Sequence, residues 1–149
     1  MQGRQALAGL QAWARDANAE TPGSFRVVHH DDASDRTTVR DVTRRLIVDD
    51  QVDILFGPYS SVLTSAAAQV ADEHGKLLWN HGGASDNVYE QGYRLIVGIL
   101  SPASRYLTRL LPLVRQSDPD ATTVALVRAS IGEFPKAVCS GVADAADEL

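Results

Sequence analysis

Apolar positions along this chain switch repeatedly between a helical spacing and short continuous runs, and each switch marks an element. Residues 4–20, RQALAGLQAWARDANAE, place Ala6, Leu7, Leu10, Ala14 and Ala17 at helical spacing, and the TPGS that follows stops the pattern. FRVVHHDD reads as a short strand, and Ser34 or Asp35 is placed to cap a helix over about residues 36–49. VDILFG is a buried strand, and a helix over about residues 61–74 follows, with Val62, Ala66, Ala67 and Val70 on its inner side and Gly75 just past its end. KLLWNHGG and YRLIVGIL read as strands, SPASRYLTRLLPLVRQSDPDA as a helix interrupted or ended near Pro112, TTVALVRA as a strand and EFPKAVCSGVADAADEL as a final helix. Strands that alternate with helices and read as unbroken apolar runs imply a parallel sheet covered on both faces. The expected fold class is therefore α/β, a three-layer α/β/α domain. Such folds normally open on a strand, whereas this chain opens on a helix.

A length of 149 residues with 44% hydrophobic content is enough for one globular core. The net charge of −5 argues against nucleic acid or an anionic membrane as partner, since both bind clustered Lys and Arg. Arg36, Arg40, Arg44 and Arg45 form the one basic cluster; Val39, Val42 and Leu46 fall on another face of that helix, so the arginines are expected on its solvated side, with Asp41 placed to pair with Arg45. Cys139 is the single cysteine, a buried inert thiol by expectation. Met1 is followed by Gln-Gly-Arg-Gln-Ala, without a basic stretch leading into an apolar core, so no signal peptide is expected within this chain. There is no apolar run long enough to span a bilayer, which takes about 20 residues.

Chemistry concentrates at two strand ends. In open parallel sheets, ligands bind beyond the carboxyl ends of the strands, where helix N-termini also point. FGPYSS, residues 56–61, stands there: Gly57 permits a tight turn, Pro58 fixes one φ, and Ser60 or Ser61 can cap the following helix, whose remaining amides and dipole favour an anion. The bland alternative is one serine capping and the other solvated. NHGGASD, residues 80–86, ends the next strand; Gly82 and Gly83 lack side chains, so a small ligand can reach their backbone, and Ser85 adds a hydroxyl. Alone it is equally a flexible turn, but its position beside GPYSS makes the pair more specific than either part. A nucleophile elbow, a P-loop and a dinucleotide fingerprint are all absent, and His29 and His30 alternate faces of a strand and so do not converge on one metal ion. No cofactor and no metal are expected; His74 falls at a helix end and His81 is a pocket candidate.

The order ALAGLQAWARDANAE, FRVVHHDDASD, VTRRLIVDDQVDILFGPYSSVLTSAAAQVADEHG, NHGGASD resembles the leucine/isoleucine/valine-binding protein family of ABC-transporter receptors, which has the type I periplasmic binding fold. The resemblance covers about residues 3–149, and its most specific pieces are DDASD, GPYSS with Thr64 three positions on, and the turn at 82–85. It implies a non-enzymatic solute-binding component that closes about a hinge on an amino acid or related carboxylate and presents it to a membrane permease, in the periplasm or, lipoprotein-anchored, outside the cell. By the same resemblance Ser61 would bind the ligand carboxylate through hydroxyl and amide, Gly82 would offer its carbonyl to an α-ammonium, and Ala84 its amide to the carboxylate, with Tyr59, Ser60, Gly83 and Ser85 completing the site. Ala84 stands where amino-acid binders often have threonine, and Ser60 where some members have a disulfide cysteine.

Family chains are more than twice this length, so residues 1–118 read as lobe 1 without its first strand and 119–149 as the first strand and helix of lobe 2, with Glu133 or Phe134 near that lobe's first contact. The absent strand would lie between those at about residues 25–30 and 52–57, an arrangement expected to drive homo-oligomer formation or rearrangement. Two other readings stand beside this one: a ligand-sensing regulatory domain of the same fold, similar to amide sensors, and a hydrolytic enzyme on a doubly wound sheet.

Overall fold

The computed structural model describes residues 2–21 and 23–149; Met1, and Pro22 within the expected helix stop, lie outside the described residues. Helix α1 (Gln2–Glu20) is followed by α2 (Arg36–Val48), strand β1 (Leu55–Phe56), α3 (Ser61–Glu73), β2 (Leu78–Asn80), β3 (Ile96–Gly98), α4 (Leu110–Ser117) and α5 (Glu133–Asp147), with 3-10 turns at Asp86–Val88 and Ala103–Arg105. The strands form one parallel sheet in the order β1-β2-β3, with Leu55 beside Leu78 and Leu78 beside Ile96. The ladder runs on past β1, where the Gly57 amide donates to the Trp79 carbonyl at 2.8 Å.

The core lies between the sheet and the layer formed by α2 and α3. Ala66, Ala67, Ala68, Val70 and Ala71 are buried, so the small side chains of α3 let it approach Leu55 and Leu78 closely, while α2 adds Val39, Thr43 and Ile47. Val62, expected on the inner side of α3, is exposed in the first turn and Leu63 takes the inward place. Asp35, not Ser34, caps α2: its carboxylate accepts from the amides of Thr37 and Thr38 at 3.0 and 2.7 Å. Those bonds, led by the one from Thr38, hold the Asp35 carboxyl below the ordinary carboxylate range. Gly75 ends α3 at φ 63°, its amide donating to the Asp72 carbonyl and the Lys76 amide to that of Ala71, the paired bonds of a Schellman cap. On the other face of the sheet, Phe56, Trp79 and Val97 are exposed. Among the described residues no helix is long and apolar enough to cross a membrane.

Several expectations fail for physical reasons. Residues 25–32 form no ladder; Phe25 is held instead by Asn18, whose side chain bonds both its amide and its carbonyl at 2.9 and 2.7 Å, and by its ring contact with Trp13. Residues 122–129 also form no strand and are exposed throughout. In both stretches no neighbouring backbone stands in register, and a strand needs one. Pro112 does not end a helix but sits third in α4, in the first turn, where its missing N–H is no loss. Asp41 pairs with Arg44 at 3.5 Å rather than with Arg45. Arg40 leaves the solvated face, its Nη2 donating to Gln69 Oε1 of α3 at 2.6 Å, whereas Arg36, Arg44 and Arg45 are exposed as expected.

Candidate functional site

At the end of β1 the chain turns through Gly57 and Pro58 and enters α3 by way of Ser60. Of the two serines, Ser60 caps: its Oγ accepts from the Leu63 amide at 3.4 Å and its carbonyl from that of Thr64 at 2.9 Å. Ser60 does so at φ 92° and ψ 146°, a backbone conformation that glycine adopts freely and serine rarely. That strain is over-determined by the adjacent loop, since the Ser60 amide donates to the Gly82 carbonyl at 3.2 Å. Ser61 is then the first helical residue, nearly buried, and its Oγ accepts from the Ser85 amide at 3.0 Å. The hydroxyl proton of Ser61 is left over for another acceptor.

The two strand-end loops expected to lie side by side are thus bonded to each other. They are also packed without clearance. A Cβ on Gly82 would come within 2.9 Å of Tyr59 Cα and 3.0 Å of the Pro58 carbonyl oxygen, and one on Gly83 within 2.5 Å of Thr64 Oγ1. The space opened by these glycines is therefore filled by the neighbouring loop. Thr64, fully buried, donates in turn to the Pro58 carbonyl at 3.2 Å. Ala84 and Ser85 are buried as well; the Ala84 carbonyl accepts from the Ala103 amide at 2.8 Å and the Ser85 carbonyl from that of Val88 at 3.1 Å. Tyr59 is exposed.

Among the described residues, the amides of Ser61, Val62 and Ala84 have no acceptor. Two of them open α3, where the positive end of the helix dipole adds to their attraction for an anion, and the third immediately precedes Ser85, whose amide bonds Ser61. Chemically the arrangement can receive an oxyanion. It offers no polarised nucleophile: Ser61 is bonded to a backbone amide, not to a base.

His81 follows Asn80 and has both ring nitrogens buried without a partner; burial lowers its pKa, so the ring is neutral at pH 7. The HHDD stretch is accounted for structurally: His30 Nε2 meets Asp50 Oδ2 at 2.7 Å, and Asp31 and Asp32 accept from the amides of Ala33 and Ser34 to shape the turn into α2. Two groups, one buried and one half-buried, escaped the sequence reading. Asn80 bonds the Gly82–Gly83 turn and the Tyr89 hydroxyl, and Asp86 takes the amide and hydroxyl of Ser104 at 3.1 and 2.6 Å. Asn80 had a signal, being a polar residue in phase with Leu78 on the inner face of a strand.

Solved structures share this fold. A periplasmic binding protein from Burkholderia mallei superposes with a TM-score of 0.76 at 22% sequence identity, covering 94% of this chain and 38% of its own. An ABC transporter substrate-binding protein from Desulfitobacterium hafniense in complex with Leu gives 0.76 at 13% identity, over 93% of this chain and 42% of that one. A solute-binding protein of an ABC transporter from Rhodopseudomonas palustris, in complex with 3,4-dihydroxybenzoic acid, gives 0.73 at 15% identity, over 83% and 33%. The chain therefore spans less than half the length of each of these proteins. The fold is the type I periplasmic-binding-protein-like fold, and because the periplasmic binding protein family model matches residues 1–149, the chain belongs to that family.

Proposed function

We propose that this chain supplies the ligand-facing part of lobe 1 of a solute-binding component of an ABC transporter, and that its ligand is an amino acid or related small carboxylate. In this reading residues 1–118 belong to lobe 1 and 119–149 begin lobe 2, the protein works outside the cytoplasmic membrane, and closure of the lobes presents the ligand to a permease. The observation that carries it is the set of unpaired amides at Ser61, Val62 and Ala84, at the entry to α3 and in the loop whose Ser85 amide bonds the Ser61 hydroxyl. With its oxygen accepting from Ser85, Ser61 keeps its proton for another acceptor, which in this reading is a carboxylate that the three amides also attract. The Gly82 carbonyl, which has a second lone pair beyond its bond from Ser60, is the candidate acceptor for an α-ammonium. Relatives of the same fold in complex with Leu and with 3,4-dihydroxybenzoic acid support a carboxylate as the common element. Membership of the leucine/isoleucine/valine-binding subgroup is the finer form of this proposal.

The test is calorimetric titration of the full-length gene product with L-leucine, L-isoleucine and 3,4-dihydroxybenzoate. Ser61→Ala should weaken whichever carboxylate binds by about 1–3 kcal/mol, the cost of leaving a charged partner short of a hydrogen bond. Unchanged affinity would mean that Ser61 serves only to tie the two loops together.

A further inference from the structure

Leu78 and Asn80 share the inner face of β2, and Asn80 has no exposed surface. A buried amide side chain is costly unless its donors and acceptor are all matched. In Asn80 they are. Its Oδ1 accepts from the amides of Gly82 and Gly83 at 3.1 and 2.8 Å, while Nδ2 donates to the Gly83 carbonyl at 2.6 Å and to the Tyr89 hydroxyl at 2.7 Å. One side chain thus binds three of the four backbone polar groups of the Gly82–Gly83 pair, and the fourth, the Gly82 carbonyl, is the one turned toward Ser60. Tyr89 is fixed in its turn, because its hydroxyl occupies the place a Cβ would take on Gly98 of β3. From the other side Pro58, Tyr59 and Thr64 press against the same two glycines.

A turn clamped between a saturated polar anchor and a wall of backbone has little freedom to drift. We propose that Asn80, backed by Tyr89, is a positioning residue of the ligand site: it touches no ligand, but holds the Gly82–Gly83–Ala84 backbone so that the Gly82 carbonyl and the Ala84 amide keep their aim. The proposal rests on the reading of these loops as the ligand site. It deepens that reading, because a preorganised backbone loses less freedom when it binds.

Amide hydrogen exchange by nitrogen-15 NMR and titration of L-leucine and 3,4-dihydroxybenzoate, both on the full-length gene product, test it. Tyr89→Phe deletes one hydroxyl from the outside of the network; exchange at Gly82 and Gly83 should quicken about fivefold, the equivalent of one net hydrogen bond, while exchange at Leu78 is unchanged. Asn80→Ala should give a larger increase at the same two amides, and Asn80→Asp, which keeps the acceptor oxygen, should restore part of their protection. Affinity for the binding probe should fall in the same order. A uniform rise in exchange across the sheet, without grading at the turn, would show that Asn80 merely supports the core and would overturn the proposal. Unchanged exchange at the turn, with Ser61→Ala still weakening binding, would overturn the role of Asn80 and leave the ligand site standing. Graded exchange with no change in affinity for a probe that binds would overturn it as well, since the turn would then lie outside the ligand site.

Discussion

YRLIVGIL and TTVALVRA are equally rich in β-forming residues, yet they end differently. The first delivers β3, paired along Ile96–Gly98 with β2; the second forms no strand, with Val127 at 96% exposure. FRVVHH behaves like the second. Propensity does not separate the three, but the neighbourhood does. Ile96 meets Leu78 in register under the cover of α3, whereas residues 122–129 form no backbone ladder, and 125–129 line a groove together with Phe134, Val138 and Val142 of α5. A strand is a relation between two segments, and composition describes only one of them.

The strongest way to break this contrast is to supply a partner. β1 has β2 on one side only, and Phe56, Trp79 and Val97 are partly exposed beside it, so the 149-residue chain is expected to self-associate. Light scattering decides this, and a monodisperse monomer with a cooperative melt would contradict it. Next in size is the difference in packing. Leu78→Ala should cost about 2–5 kcal/mol by urea denaturation, because it empties a fully buried site, while Val127→Ala should stay within about 0.5 kcal/mol of the parent.

Glycines give a smaller and sharper version of the same test. Gly83→Ala drives a methyl into Thr64 and should destabilise by about 1–3 kcal/mol. Gly9→Ala, in α1 with nothing within 4 Å of the new methyl, should stabilise by about 0.5–1 kcal/mol. The smallest effect is one of pH. His81 has an ordinary pKa of 6.5 that burial lowers in the folded state, so the unfolded chain takes up its proton first and stability falls as pH drops below about 6.5. His81→Phe should flatten that decline in melts between about pH 7 and 5, and an unaltered slope would assign it to other groups.

Much of the backbone frame of the candidate site was legible because its requirements are local. A strand end, a Gly-Pro turn and two serines before an alanine-rich run specify a helix entry, and a second glycine turn one strand later puts two such loops together. Which serine caps was not legible, since the choice depends on Ser60 reaching φ 92°, a conformation held by the Gly82 carbonyl 22 positions along the chain. For Arg40 the sequence showed a polar helix face, but the partner that draws it inward, Gln69, belongs to another helix. Pro112 was legible as a helix boundary with its direction open, because proline suits a first turn as well as it stops a last one.

The sequence alone determined the periodicities, hence α1, α2, α3 and α5, the three short strands of the sheet, and the two loops on which chemistry could stand. Tertiary structure decided which extended segments became strands and what the glycines of the second loop are for. It also decided that Asn80, a polar residue on an apolar strand face, is satisfied by the turn that follows it. The division has one physical reason. Helical periodicity and turn chemistry are carried by residues within a few positions of one another, whereas ladder pairing, steric clearance and the satisfaction of a buried amide depend on atoms that only folding brings within 3 Å or so.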